Sequence, residues 1–143
     1  MPIRRELRGF YPIDWVQLSR VIRFERAGGR CEMCGRPHGK LISHLGDGRW
    51  FDPDSEAWRD GQGRAIDWID FSAFKDQLRQ TRVVLAAAHV DHDPTNNRTR
   101  NLRALCQRCH LLHDRKEHRR RRRLTYRKRR ALGDLFEGPY PRW

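Results

Sequence analysis

Residues 83–114 read VVLAAAHVDHDPTNNRTRNLRALCQRCHLLHD, and the order of apolar and polar blocks in this stretch decides the fold class. Val83 to Ala88 is an unbroken apolar run of small and β-branched residues, too short for an independent helix, so it predicts a buried strand. The run delivers the chain directly into His89, Asp91, His92 and Asp93. Pro94-Thr-Asn-Asn97 is turn chemistry, because proline cannot extend a ladder and asparagine tolerates the left-handed backbone. Asn101 to Leu105 then predicts a return strand, and Cys106 to about His118 has the length and residue types of a helix. The expected class is α+β with a strand-strand-helix core, and its helix would place His110, His113 and Asp114 on one face.

The four cysteines fall as Cys31-Glu-Met-Cys34 and Cys106-Gln-Arg-Cys109, two knuckles of one C-x-x-C type. Paired knuckles predict a tetrahedral structural zinc site, although the gap between them is far longer than in a zinc ribbon. Two disulfides are the alternative. The chain opens Met-Pro-Ile-Arg-Arg with no signal-type apolar segment, which favours a reducing cytoplasm and therefore the metal.

Within this frame Asp91-His92, then Asn101-Leu102, then Leu105-Cys-Gln-Arg-Cys-His110 resemble the HNH endonucleases in order and spacing. The variant AHVDHDP before NLRALCQRCH is similar to small stand-alone HNH proteins of phages and bacteria. The resemblance covers roughly residues 83–114 with Cys31 and Cys34 added, and implies a ββα metal finger that hydrolyses DNA phosphodiester bonds to a 5′ phosphate and a 3′ hydroxyl. It implies His92 as general base, a role suited to an imidazole. It implies Asp91 and His110 as ligands of a catalytic divalent cation, with Asn101 bridging the loop to hold the His92 ring. Asp114 is the candidate third ligand, with His113 and His89 as alternatives. An Asp and His donor set suits magnesium or manganese, and also nickel or zinc. The pattern departs from the family at Asp93, where an apolar residue is usual, in the Pro94–Arg100 loop, which lacks a Gly-Gly pair, and at His89, on the same strand face as Asp91.

The chain of 143 residues carries 31 Lys and Arg against 18 Asp and Glu, a net charge of +13. Residues 115–143 hold 12 basic and 3 acidic side chains, leaving only +4 for residues 1–114. A basic excess concentrated after the metal helix is the footprint of a polyanion, since each cation near a phosphate releases counterions. The candidate nucleic-acid contacts are Arg119, Arg120, Arg121, Arg122, Arg123, Arg127, Lys128, Arg129 and Arg130. Duplex DNA is the expected partner, with a homodimer or larger nucleoprotein complex compatible. The alternative functions are a zinc-stabilised DNA-binding or phage-packaging accessory module with a silent or partner-dependent nuclease site, and an RNA nuclease or RNA-binding zinc protein.

The remainder is read as one domain. Residues 1–30 form an extended arm, Pro2 to Pro12, and a helix starting at Trp15, capped by Asp14 and ended by Gly28-Gly29. Residues 31–82 hold the first knuckle and a β-rich insertion: a hairpin or meander over Leu41–Leu45, Trp50-Phe51 and Ala57-Trp58, a short strand over Ala65–Ile69, and a short helix over Ser72–Gln80. Trp50, Trp58 and Trp68 are expected as core rather than a base-stacking platform, and His38, His44 and His118 as histidines without a functional role. Residues 83–118 are the core. Residues 119–143 are a basic extension, helical through the arginines and ending in a Gly138-Pro-Tyr-Pro turn.

Overall fold

The computed structural model describes residues 5–67, 74 and 76–130, apart from the side chains of Glu6, Lys128 and Arg129. These residues fall into two compact units, the first ending at His110 and the second beginning at Leu111.

The first unit mixes helix and sheet. A 3-10 helix, Arg5–Phe10, precedes α1, Trp15–Arg20, which widens into a π-helical segment, Val21–Arg26. The wide turn is closed by the Ala27 N–H donating to the Ile22 carbonyl at 3.2 Å. Gly28 and Gly29 then take φ of +57° and +70°, and the Gly29 N–H reaches back to the Arg23 carbonyl at 3.0 Å, a left-handed exit that glycine adopts without a Cβ penalty. The π-helical segment buries Ile22 and reaches the strands through arginine: Arg26 donates to the carbonyls of Thr99 and Leu102 at 2.8 and 2.6 Å.

Four antiparallel strands follow: β1 Leu41–His44, β2 Trp50–Asp52, β3 Ala57–Arg59 and β4 Arg79–Arg82, in the order β3-β2-β1-β4. Side chains of β1, β2 and β3 enter two apolar clusters. Ile42 and Trp50 join the main core, whereas Phe51 and Trp58, paired across β2 and β3, pack with Leu45, Ile66 and Phe74 in a second cluster. Trp50 and Trp58 are 0 % and 2 % exposed, so both are core residues with no face for a base. Buried Asp52 sits at the β2–β3 corner, where its carboxylate accepts from Arg59 Nε at 2.9 Å and from the Ser55 hydroxyl at 3.0 Å. Arg30 lies 3.5 Å away.

β5, Leu85–His89, and β6, Leu102–Cys106, form a separate antiparallel pair with Leu85 opposite Cys106 and His89 opposite Leu102. Leu85, Ala88, Leu102, Ala104 and Leu105 are buried, as expected of apolar strand runs. α2, Gln107–Arg130, begins directly after β6, so the expected strand-strand-helix order is present. The second unit contains α2 from Leu111 onward. No helix among the described residues is long and apolar enough to cross a membrane.

Several local expectations are corrected. The described part of the N-terminal arm is a 3-10 helix rather than extended. Asp14 occupies the cap position, but its side chain makes no capping bond. Val83 belongs to the neighbouring ladder instead of β5, its N–H donating to the Lys40 carbonyl at 2.9 Å and its carbonyl accepting from Gly39 at 2.8 Å. Arg79 and Gln80, expected at the end of a short helix, lie in β4, which forms on the open edge of β1 with Leu41 opposite Arg82 and His44 opposite Arg79. Ala65 makes a single bridge to Arg59. Trp68, Ile69, Ser72, Ala73 and the tail from Ala131, with its Gly138 turn, lie outside the described residues.

Candidate functional site

The two knuckles meet. Cys31 and Cys34 leave the turn after the π-helical segment, Cys106 ends β6 and Cys109 stands in the first turn of α2. All four are buried free thiols, and one sulfur from each lies within 4.8 Å of the others. The Cys34 and Cys106 sulfurs are 3.6 Å apart, too far for a disulfide and close to the sulfur-sulfur edge of about 3.8 Å in a tetrahedron with zinc-sulfur bonds of about 2.3 Å. The donor set therefore fits structural zinc.

Backbone pairing builds this geometry. The Glu32 N–H donates to the Ala104 carbonyl at 2.9 Å while the Ala104 N–H donates to the Glu32 carboxylate, so the first knuckle is zipped onto β6. Arg26 holds the same carboxylate at 2.9 Å. The Cys106 N–H donates to Cys31 Sγ at 3.3 Å, a contact that favours thiolate. The thiols divide the charge unequally. Hydrogen bonding with Cys106 draws Cys31 well below the ordinary thiol range, and hydrogen bonding with Cys109 lowers Cys106 to about 7. Cys34 and Cys109 are pushed up, first through Cys106. Bringing all four to thiolate would require a cation, a need that a metal ion fits.

A second cluster occupies the turn between β5 and β6. Asp91 and Asn101 face each other: Asn101 Nδ2 donates to Asp91 Oδ1 at 2.8 Å, and Asn101 Oδ1 accepts the Asp91 N–H at 3.3 Å. The same Nδ2 donates to the Asn96 carbonyl at 2.8 Å. Asp91 also accepts from the Asp93 N–H at 2.9 Å and from Asn96 Nδ2 at 2.7 Å. Led by the Asn101 bond, these donors lower the Asp91 pKa to about 2, although the residue is exposed. The carboxylate is thus held anionic and oriented at the surface. Asp93 accepts from both the N–H and the hydroxyl of Thr95, at 2.9 and 2.7 Å, and so shapes the turn.

His92 is half-buried with φ +61°, one of two non-glycine residues among those described in the left-handed region, the other being Glu56. Its N–H donates to the His89 carbonyl at 3.3 Å. A non-glycine residue pays for this conformation, and such strain concentrates at functional turns. In a turn that lacks a Gly-Gly pair, a histidine itself takes the left-handed position.

His89 is fixed from the N-terminal side. Its ring stacks on Trp15 with centroids 5.5 Å apart and planes 8° from parallel, and Tyr11 meets it edge-on at 5.6 Å. Its Nε2 lies 2.9 Å from Asn97 Oδ1, which can only accept, so that nitrogen carries the proton. Asn97 Nδ2 in turn donates to the carbonyls of Phe10 and Pro94 at 3.2 and 3.1 Å. These aromatic and amide contacts escaped the sequence reading. The Asn96-Asn97 pair in the loop was their one visible sign.

His110, half-buried, follows Cys109 in the first turn of α2. His113 and Asp114 lie in the second unit, three and four residues further along the same helix and both half-buried. Arg119 to Arg123 and Arg127 are exposed on α2, and Arg130 stacks over Tyr126 at 4.5 Å. His38 and His44 have structural partners: His38 Nδ1 accepts the Leu85 N–H at 3.0 Å, and His44 Nε2 is 2.9 Å from Thr81 Oγ1.

No protein-family model, curated protein or solved structure matches this chain.

Proposed function

We propose that the chain is a divalent-metal-dependent endonuclease of the HNH type that hydrolyses DNA phosphodiester bonds with weak sequence specificity. The observation that carries this reading is the clasp of Asn101 on Asp91 beside the left-handed His92. Such an arrangement holds an ionised carboxylate next to a histidine on a strained backbone, and a module that only binds DNA has no use for that pair. The four-cysteine cluster and the basic α2 support the reading from two other sides.

In this reading Asp91 supplies a carboxylate ligand and His110 an imidazole ligand, a mixed oxygen and nitrogen set that fits magnesium, manganese, nickel or zinc. When bound, a divalent cation there neutralises charge on the phosphate and the leaving oxygen. His92 takes a proton from a water molecule, whose oxygen attacks phosphorus. The bond from phosphorus to the 3′ oxygen breaks, and the leaving oxygen acquires a proton from solvent, giving a 3′ hydroxyl and a 5′ phosphate. Asn101 touches no substrate. It positions the strand end from which Asp91 and His92 project.

The test is cleavage of supercoiled plasmid by the zinc-loaded protein with magnesium, manganese or nickel, beside His92→Ala. The expected result is metal-dependent nicking or linearisation that His92→Ala abolishes. Equal cleavage by His92→Ala overturns the assignment of the base. Tight DNA binding without cleavage in any metal replaces the nuclease with a zinc-stabilised DNA-binding module.

A further inference from the structure

From Arg115 to Arg130, 11 of 16 residues are lysine or arginine and one is acidic. Every residue from His118 to Arg127 is exposed within the chain. Successive residues of an α-helix are about 100° apart, so Arg119, Arg120, Arg121, Arg122 and Arg123 encircle the axis instead of forming one stripe. The apolar residues of this segment, Leu124 and Tyr126, are 45 % and 55 % exposed and point about 200° apart. They make no seam for a protein surface or a second helix. The one acidic side chain, Glu117, pairs with Arg121 at 2.8 Å and with Arg120 at 3.9 Å. With eleven cations against this one carboxylate, the segment carries a large excess of positive charge, which calls for anions on more than one side.

We infer that residues 115–130 of α2 insert into the major groove of duplex DNA, with phosphates of both groove walls meeting arginines on opposite helix faces. A helix laid along one backbone would engage one face and leave the other cations unpaired. The major groove is about 12 Å wide and admits a helix about 10–12 Å across, and 16 helical residues span about 24 Å of it. The major groove of A-form RNA is too deep and narrow for the same entry. The inference rests on the nucleic-acid part of the proposed function and is independent of hydrolysis.

The test is equilibrium binding of the full zinc-loaded chain to a duplex DNA oligonucleotide across a salt series, with no other divalent cation. Two double variants probe opposite faces, Arg123→Gln with Arg127→Gln, and Arg121→Gln with Arg122→Gln. All four side chains are exposed, and circular dichroism checks the helix. Each variant is expected to lower affinity and to reduce the slope of log affinity against log salt by roughly 2, about one per lost phosphate contact. A duplex whose major groove is filled by glucosylated hydroxymethylcytosine is expected to lose binding, whereas a minor-groove drug leaves it intact. Loss confined to one face, indifference to the filled groove, or equal binding to duplex RNA overturns groove insertion. Because no step reads cleavage, a failure here is distinguishable from a failure of the nuclease assignment.

Discussion

Asn101 grips Asp91 through both ends of its carboxamide, accepting the backbone N–H at 3.3 Å and donating to the side-chain carboxylate at 2.8 Å. One amide thereby ties the end of β5 to the start of β6, between residues ten positions apart.

Asn101→Ala is expected to cost about 1–3 kcal/mol in urea unfolding, through lost bonds and the orphaned Asn96 carbonyl. Asn101→Asp is expected to cost more at neutral pH, because it sets a second carboxylate against Asp91, and the excess should shrink as the pH approaches about 4. Equal stability of the two variants at neutral pH would refute the clasp.

His92 combines its proposed role as base with a left-handed backbone, and two substitutions separate them. His92→Gly relieves the strain and is expected to be more stable than His92→Ala by up to about 1 kcal/mol, the balance of left-handed cost against glycine's chain entropy. Both should abolish plasmid cleavage. If the alanine protein proves the more stable, φ at this position is not left-handed in solution.

Metal analysis should find one zinc per chain at the cysteine cluster. Trp50 belongs to the same buried cluster as the four cysteines, so its near-ultraviolet dichroism reports the site. Chelation, or Cys34→Ser and Cys106→Ser singly, is expected to collapse that signal and the cooperative unfolding transition together, with a stability loss of several kcal/mol. Retention of the full signal in metal-free protein would rule out a structural metal.

Burial acts to raise the Asp52 pKa, but the Arg59 hydrogen bond, the Asp54 N–H, the Ser55 hydroxyl and nearby Arg30 together bring it below the ordinary carboxylate value. A folded-state value below the unfolded one stabilises fully above the unfolded carboxylate range, and that contribution is lost as the pH falls through the folded value. Asp52→Asn should therefore cost about 2–3 kcal/mol near neutrality, less than a fully buried pair because Arg30 and Arg59 remain partly solvated. The gap from the wild type should close in acid. A gap unchanged from pH 7 to pH 2 would contradict the charge pairing.

The strands and helix around the metal knuckles were legible because their signals are local. An apolar run fixes β5, a return run fixes β6, and C-x-x-C spacing encodes a chelate whether its halves are near or far in sequence. β4 was not legible. Arg79-Gln-Thr-Arg82 is exposed throughout and has no apolar alternation, so its strand character comes from the open edge of β1. The left-handed His92 was also hidden, since no glycine announces it and the amides that fix the turn, on Asn96 and Asn101, bond its neighbour Asp91. The Trp15 stack on His89 joins residues 74 positions apart, a distance over which single-sequence patterning carries no information.

The junction of Cys34 with Cys106 spans 72 positions of chain. Once a metal bridges the knuckles, everything between them is a closed ring, and the two termini leave it from nearly the same point. Tension applied at the ends would run through the thiolate bridge and bypass the strands. With α2 on a nucleic acid as proposed, the staple would act as a mechanical shunt, sparing the meander and the Asp91 turn from the pull of the strand being held.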